Sequence, residues 1–393
     1  MQKTIVLCIK YLAGITGGAE RNVVELANHL ADTGNKVFIV VYEKSDASPA
    51  FVLKPEVTII NARKLHQFHN GPSPVEWAEE QGRRRAYAGD EDAIRWFDDS
   101  FEMRLHWGRV ILSLEPSLLI TFLPHTSTPL LEQLGERLPI IVTNQNTPAV
   151  DYFSEKHDTQ AFDRYKRLKN LDLARAVHVL IPEFASYFPE HLRERVHAIP
   201  NVVHPVNEGK SLFDSSKTII ALGRFDVQKQ FDLLIRSMPF VLEKAPNWHL
   251  KIFGRGQEED NLRTLIRRHS LQRSVLLMGR TAKPLDELRK ADLFVIPSSY
   301  EGWGLTLTEA MSVGLPCIGF QDCSGVNWIL RDGETGVLLR ERSAETLADG
   351  ILHLINDSTL ARRCGENARA FVRQFSPEKV YAVWDSLIDG VLR

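Results

Sequence analysis

Short, continuously apolar runs alternate with amphipathic stretches along this chain, and that alternation limits its fold more than any other feature. "KTIVLCI" and "NKVFIVVY" flank Ala19 to Thr33, in which Val23, Val24, Leu26, Ala27 and Leu30 recur at helical spacing. Runs of the same kind follow at "VTIINA", "PSLLITFL", "LPIIVTN" and "AVHVLIP". Strands that are apolar throughout must be covered on both faces, so the pattern predicts a parallel sheet with helices on either side. After "IPNVVHP" and the polar stretch Asn207 to Lys217 the pattern restarts. "TIIALGR", "WHLKIFG", "SVLLMGR", "DLFVIPS", "PCIGF" and "GVLLR" are again separated by helical segments. The expectation is an α/β protein of two doubly wound, Rossmann-like domains facing across a cleft. Ligands bind beyond the carboxyl ends of such strands. The expected division is 1–206 plus 377–393 for the first domain and 207–376 for the second.

Composition fits two ordinary cores. The 393 residues are 44% hydrophobic and 25% charged, with a formal charge of −2, so no global field recruits nucleic acid. Cys8, Cys317, Cys323 and Cys364 lack CxxC spacing and a nearby histidine pair, which excludes a disulfide framework or zinc site as the first reading. No apolar run reaches the roughly 18 residues needed to span a bilayer. A cytoplasmic protein is expected, with peripheral contact at the inner face of the membrane still open. The run Arg83 to Arg85 reads as a solvated polar surface. His66 to Trp107, with three of the seven tryptophans, is too long for a simple connection and reads either as a flap or as a helical insertion. The last helix, from Pro377, places Val380, Trp384, Leu387, Ile388 and Val391 on one face.

Several strand ends carry chemistry. In "GITGGAERNVVELA", Gly17 and Gly18 precede a helix whose N-terminal N–H groups suit an anion, but the spacing is not G-x-G-x-x-G. Glu43, ending the second strand, keeps a dinucleotide-dependent oxidoreductase open as a minor reading. In the second half, "LGRFDVQKQFDLL" sets Gly223, Arg224 and Lys229 before a helix. Two cations there suit a diphosphate, one forked and one a mobile point charge. "FGRGQEEDNL" adds Gly254 and Gly256. In "SSYEGWGLTLTEAMSVGLP", Glu301 lies in a turn after an apolar strand, and Glu309 sits inside a helix that Gly314 and Pro316 end. The free N–H groups near Gly304 to Leu307 lie between the two carboxylates, the outline of a nucleotide diphosphate sugar.

These motifs together resemble a family 4 retaining glycosyltransferase of the GT-B fold, over nearly the whole chain and most closely from Ile219 to Leu339. "GGAER", "IPN" at Asn201, the Arg224 and Lys229 pair, "FGRG", and "EGWGLTLTEAMSVGLPCI" followed by "GVNWILRDGETGVLL" carry the resemblance. It implies that Arg224 and Lys229 neutralise the donor diphosphate, Glu309 holds the ribose and Glu301 contacts the donor sugar. It also implies that the backbone around Gly304, Leu305 and Thr306 cradles phosphate, that Gly302 and Trp303 belong to the donor-binding turn, that Gly17 and Gly18 close from the other domain, and that Arg280 and Thr281 lie beside the base. His125 in "TFLPHTST" matches a histidine of the sugar pocket. The implied donor is a nucleotide sugar, UDP-linked in preference to GDP-linked, and the acceptor a glycan or lipid-linked glycan. No cofactor and no metal are expected, since no Asp-x-Asp pair ends a strand. Gln230 and Trp303 depart from the family pattern, which usually has a glycine and a smaller aromatic there. A non-catalytic nucleotide-sugar binding protein is the main alternative. A glycoside hydrolase is another, and it would need its carboxylates about 5 to 9.5 Å apart across the scissile bond.

Overall fold

The computed structural model describes residues 2–45, 47–156, 158–206 and 216–393; residues 207–215, most of the expected linker, lie outside the described residues. The chain divides into two compact units, Met1–Ile199 with Tyr381–Arg393, and Pro200–Val380.

In the first unit the strands are β1 (Thr4–Cys8), β2 (Lys36–Val41), β3 (Val57–Asn61), β4 (Leu118–Phe122), β5 (Ile140–Thr143), β6 (Ala176–Val179) and β7 (Val196–Ala198). They form one parallel sheet in the order β3-β2-β1-β4-β5-β6-β7. The order reverses between β1 and β4, where a doubly wound sheet opens a crevice. Ile5 to Cys8 and Leu118 to Ile120 are wholly buried, as a sheet covered on both faces requires. Helix Gly18–Asp32 turns Val23, Val24, Ala27 and Leu30 inward. The last helix, Pro377–Val391, supplies Trp384 to this unit, its ring 4.7 Å from that of His178.

The segment between β3 and β4 is a helical insertion. Ser73 starts helix Pro74–Arg85 with a capping box to Glu76, and Glu91–Ser113 returns. Arg83 to Arg85 are not simply a solvated face. The Arg104 guanidinium forks onto Glu80 at 2.8 and 3.0 Å with both side chains fully buried, and Arg84 donates to the same carboxylate at 2.9 Å. Periodicity missed the Arg104 fork because Arg104 lies on the next helix. Trp96 and Phe97 pack on Phe162, and the Trp96 indole donates to Asp163 at 2.8 Å. The insertion is therefore docked on its own unit through two of its tryptophans, Trp96 and the buried Trp107.

The second unit contains β8 (Thr218–Leu222), β9 (His249–Phe253), β10 (Val275–Gly279), β11 (Leu293–Val295), β12 (Cys317–Phe320) and β13 (Gly336–Leu339). Its parallel sheet runs β10-β9-β8-β11-β12-β13, with its reversal between β8 and β11. One face is covered by helices Phe231–Lys244 and Ala344–Asn356, whose Leu234, Ile235, Met238, Leu347, Ile351 and Leu354 join a single buried cluster. Burial of such a side chain contributes about 1.5–3 kcal/mol. All four cysteines are free and buried. Among the described residues, no helix is long and apolar enough to cross a membrane.

Candidate functional site

The reversal between β8 and β11 brings together two loops that are 72 residues apart in sequence. After β8 the chain passes through a 3-10 turn, Val227–Lys229, capped by the Asp226 carboxylate, which accepts from Lys229 N–H at 3.2 Å. This aims Lys229 across the strand ends, where its Nζ meets Glu301 Oε1 at 2.5 Å. Ser298 Oγ donates to the same oxygen at 2.7 Å. The side chains are only 15% and 9% exposed, so each charge is held largely out of water. Removing one partner of such a pair costs about 3–5 kcal/mol, mostly by stranding the other charge. Gln228 joins the loops further, its amide donating to Tyr300 O at 2.8 Å and its carbonyl accepting from Ser299 N–H at 2.8 Å.

Beyond Glu301 the buried turn Gly302–Gly304 leads into helix Leu305–Val313. Gly304 sits at φ +85, a left-handed conformation that a side chain would strain. Leu307 and Thr308 both donate to the Gly304 carbonyl, at 3.0 and 3.1 Å. Helix geometry therefore leaves the N–H groups of Leu305 and Thr306 for an acceptor outside the helix. The helix has no acid in its first turn, and Glu309, half-buried, lies one turn further in. The Trp303 side chain points into the unit's core, 4.9 Å from Phe375 and 5.6 Å from Trp328 by ring centroid, and its buried indole N–H has no hydrogen-bond partner.

The glycines beside this site serve the chain's own backbone. A Cβ on Gly254 would lie 1.9 Å from Gly223 O, and one on Gly256 would lie 2.2 Å from Phe225 O. The loop after β9 is thus laid directly on the loop after β8, with Gly223 N–H bonded to Phe253 O at 3.0 Å. Gly223 itself lies against the Lys229 stem. Gly325, which opens the "GVNWILRDGETGVLL" motif but was given no role there, packs the same way on the Glu301 carbonyl, 2.5 Å from its hypothetical Cβ. Arg224 is 74% exposed and pairs within its own loop, with Asp226 at 3.4 Å. Arg280 is exposed, and Thr281 Oγ1 accepts from Lys283 N–H at 3.0 Å.

Gln230 explains one departure from the family pattern. Its φ and ψ are +46 and +41, the left-handed region, where a glycine is free of strain and another residue costs roughly 1–2 kcal/mol. Its side chain is held: Arg342 Nη1 donates to Gln230 Oε1 at 2.8 Å. Arg342, Ser298 and Gln228 were missed by sequence reasoning, since they sit on different strand ends and share no local spacing.

In the first unit, Gly17 caps helix Gly18–Asp32 with extended backbone, and Gly18 is exposed. His125 follows Pro124 in the first turn of helix Pro124–Leu134. Its ring lies 6.1 Å from that of Tyr11. It is crowded by protein yet open to water. Desolvation, with Lys10 and Arg167 nearby, pushes its pKa down to about 4, so the imidazole is neutral at pH 7. Glu43 does not await a ribose: its carboxylate accepts from Leu12 and Ala13 N–H at 3.2 Å and holds the loop after β1. Among the described residues no cluster of three or more His, Cys, Asp or Glu is arranged to hold a metal ion.

The family model described as Glycosyl transferases group 1 matches residues 206–371, the unit that carries the Lys229 and Glu301 pair. An uncharacterized glycosyltransferase of Haemophilus influenzae is 30% identical over 49% of this chain and 54% of its own length. A poly(ribitol-phosphate) alpha-N-acetylglucosaminyltransferase of Staphylococcus aureus is 31% identical over 50% of this chain and 40% of its own. The chain thus spans about half the length of the curated relatives it matches. Among solved structures, a mutant of S. aureus TarM in complex with Fondaparinux, alpha-GlcNAc-glycerol and UDP is similar over 98% of this chain and 99% of its own, at 17% identity and a TM-score of 0.78. Two Rossmann-like units with parallel sheets, matched over their length by such a structure, give this chain the GT-B fold of glycosyltransferases.

Proposed function

We propose that the chain is a retaining glycosyltransferase of family 4 that moves a hexosyl or N-acetylhexosaminyl group from a nucleotide diphosphate sugar to a glycan or lipid-linked acceptor in surface polysaccharide or glycoconjugate synthesis. A UDP-linked donor is favoured. The observation that carries this reading is the largely water-shielded Lys229 and Glu301 pair at the β8/β11 reversal, set beside the N-terminus of helix Leu305–Val313. The UDP held by TarM and the acetylglucosaminyl transfer named for the S. aureus relative support the donor class.

In this reading the diphosphate takes the cation, and Lys229 passes from Glu301 to phosphate. Arg224, exposed in the same loop, adds a second charge, and the Leu305 and Thr306 N–H groups donate to a phosphate oxygen. Glu309 holds the ribose hydroxyls and Glu301, freed from Lys229, contacts the sugar. Charge developing on the departing diphosphate is stabilised by fixed cations and the helix end, so no divalent ion or cofactor is required. Neutral His125 offers an N–H to a sugar hydroxyl. Same-face attack is compatible with retention without a covalent intermediate on Glu301. The enzyme works in the cytoplasm, where nucleotide sugars are held, and meets a lipid-linked acceptor at the inner face of the membrane.

Calorimetry with UDP is the test. Wild-type protein is expected to bind, and Lys229→Ala and Glu309→Ala to weaken binding at least tenfold, about 1.4 kcal/mol. Unchanged affinity in both variants rules out the donor site. Binding in wild type without release of UDP from any nucleotide sugar, even with acceptor extracts, favours a non-catalytic binding protein instead.

A further inference from the structure

We infer that Arg342 is a positioning residue that sets Lys229 and Glu301 in register, and that it does so partly through the side chain of the left-handed Gln230. This rests on the donor-site reading above and deepens it. Arg342 follows β13, the edge strand farthest in sequence from β8, and its guanidinium uses all five N–H donors. Nη1 donates to Gln230 Oε1 at 2.8 Å and to Pro297 O at 2.7 Å. Nη2 donates to Ser298 O at 3.1 Å and to Asp322 Oδ1 at 2.5 Å, and Nε donates to Asp322 Oδ2 at 3.0 Å. The plane rests on Phe320, 4.2 Å from the ring centroid, which fixes the direction of the fork.

The contacts fall on both sides of the ion pair. Gln230 is next to Lys229 in the chain. Ser298 carries the hydroxyl that donates to Glu301 Oε1, the oxygen that also meets Lys229 Nζ. One rigid cation therefore ties the loop after β8 to the loop after β11. Asp322 and Phe320, at the end of β12, anchor the cation in turn. The network also accounts for Gln230: a glycine there would need no restraint to adopt φ +46, whereas glutamine is held in that conformation by an acceptor that only its side chain provides. Lysine at 342 keeps the charge but lacks the planar five-donor fork, so it cannot bridge four partners at once.

The experiment compares wild type with Arg342→Ala, Arg342→Lys, Gln230→Gly and the Arg342→Ala/Gln230→Gly double variant. It uses UDP calorimetry well below each melting temperature and hydrogen–deuterium exchange on the ligand-free proteins. Arg342→Ala is expected to weaken UDP binding about tenfold and to raise exchange in both loops, 223–231 and 296–304. Arg342→Lys is expected to recover melting temperature but not affinity. In the Gln230→Gly background, loss of Arg342 is expected to cost less than half as much in fold-change, because glycine holds the turn unaided. The inference is overturned if Arg342→Ala lowers the melting temperature while affinity and exchange in the two loops stay at wild-type values, or if the losses in the double variant simply multiply. If wild type binds no UDP, the donor-site reading fails by itself. The exchange arm still decides whether Arg342 orders both loops.

Discussion

The two units share a strand order around their reversal points, β3-β2-β1-β4 in one and β10-β9-β8-β11 in the other, but fill those points differently. At β8/β11 the loops present a half-buried lysine and a buried carboxylate paired with each other and braced by an arginine network. At β1/β4 the acid Glu43 is engaged by backbone N–H groups, and His125 is neutral at pH 7. The same topology thus supplies a place for a ligand in each unit, while the charge that decides which ligand comes from a few loop residues.

The strand-end glycines give the sharpest way to break this comparison. Gly254→Ala drives a methyl into the Gly223 carbonyl, where only backbone can yield, so we expect a loss of several kcal/mol and failure of the second unit to fold normally. Gly17→Ala meets only the end of the Glu20 side chain, which can swing away, and should shift stability by less than about 1 kcal/mol. Chemical denaturation followed by circular dichroism measures both. Equal effects would mean that the two glycine-rich loops are packed alike.

Acid sensitivity should mark the first unit. His178 is buried beside Trp384, hydrogen-bonded to Ile199 O at 2.7 Å, and burial lowers its pKa from 6.5 to about 4. A lowered folded-state pKa means that the unfolded chain binds the proton more readily. The His178 contribution is therefore intact above pH 6.5 and lost as pH falls toward 4, by about 3 kcal/mol in full. Asp151 slopes the other way. Burial raises it to about 7, one carboxylate oxygen lacks a hydrogen-bond partner, and its cost grows as pH rises from about 4 to 7. Melting curves should show His178→Phe flattening the acid limb and Asp151→Asn raising the melting temperature at pH 8 more than at pH 5. Identical pH profiles for wild type and both variants would remove the contrast.

The smallest effect is expected in the second unit at Trp303→Phe. The ring keeps its contacts with Phe375 and Trp328 while an unpartnered buried N–H is removed, offsetting the lost volume, so the change should lie within about 1 kcal/mol and leave UDP affinity unaltered. A clear loss of affinity would place the indole in the donor pocket after all.

Much of this molecule was legible along the chain. All six apolar runs of the second half are strands, as are the six singled out in the first. Only β7 was overlooked, a three-residue edge strand that is mostly exposed and so carries no apolar run. The helix after Glu301 begins at Leu305 and ends at Gly314 in a left-handed cap, where glycine and proline announced it. What stayed hidden were relations between distant residues. Glu80 with Arg104, Gly254 on Gly223, and Arg342 on Gln230 and Ser298 leave no periodic trace.

The sequence by itself determined where strands and helices lie, because burial on one face or two imprints a period on neighbouring residues. It also determined which residue types stand at the strand ends. Only the tertiary structure decided that Lys229 and Glu301 meet, because their meeting requires β11 to pair beside β8 across 72 residues of chain. It also decided that the glycines of "FGRG" serve close packing of one loop on another. Local periodicity cannot encode strand order, which is set by how whole faces of helices and sheet exclude water together.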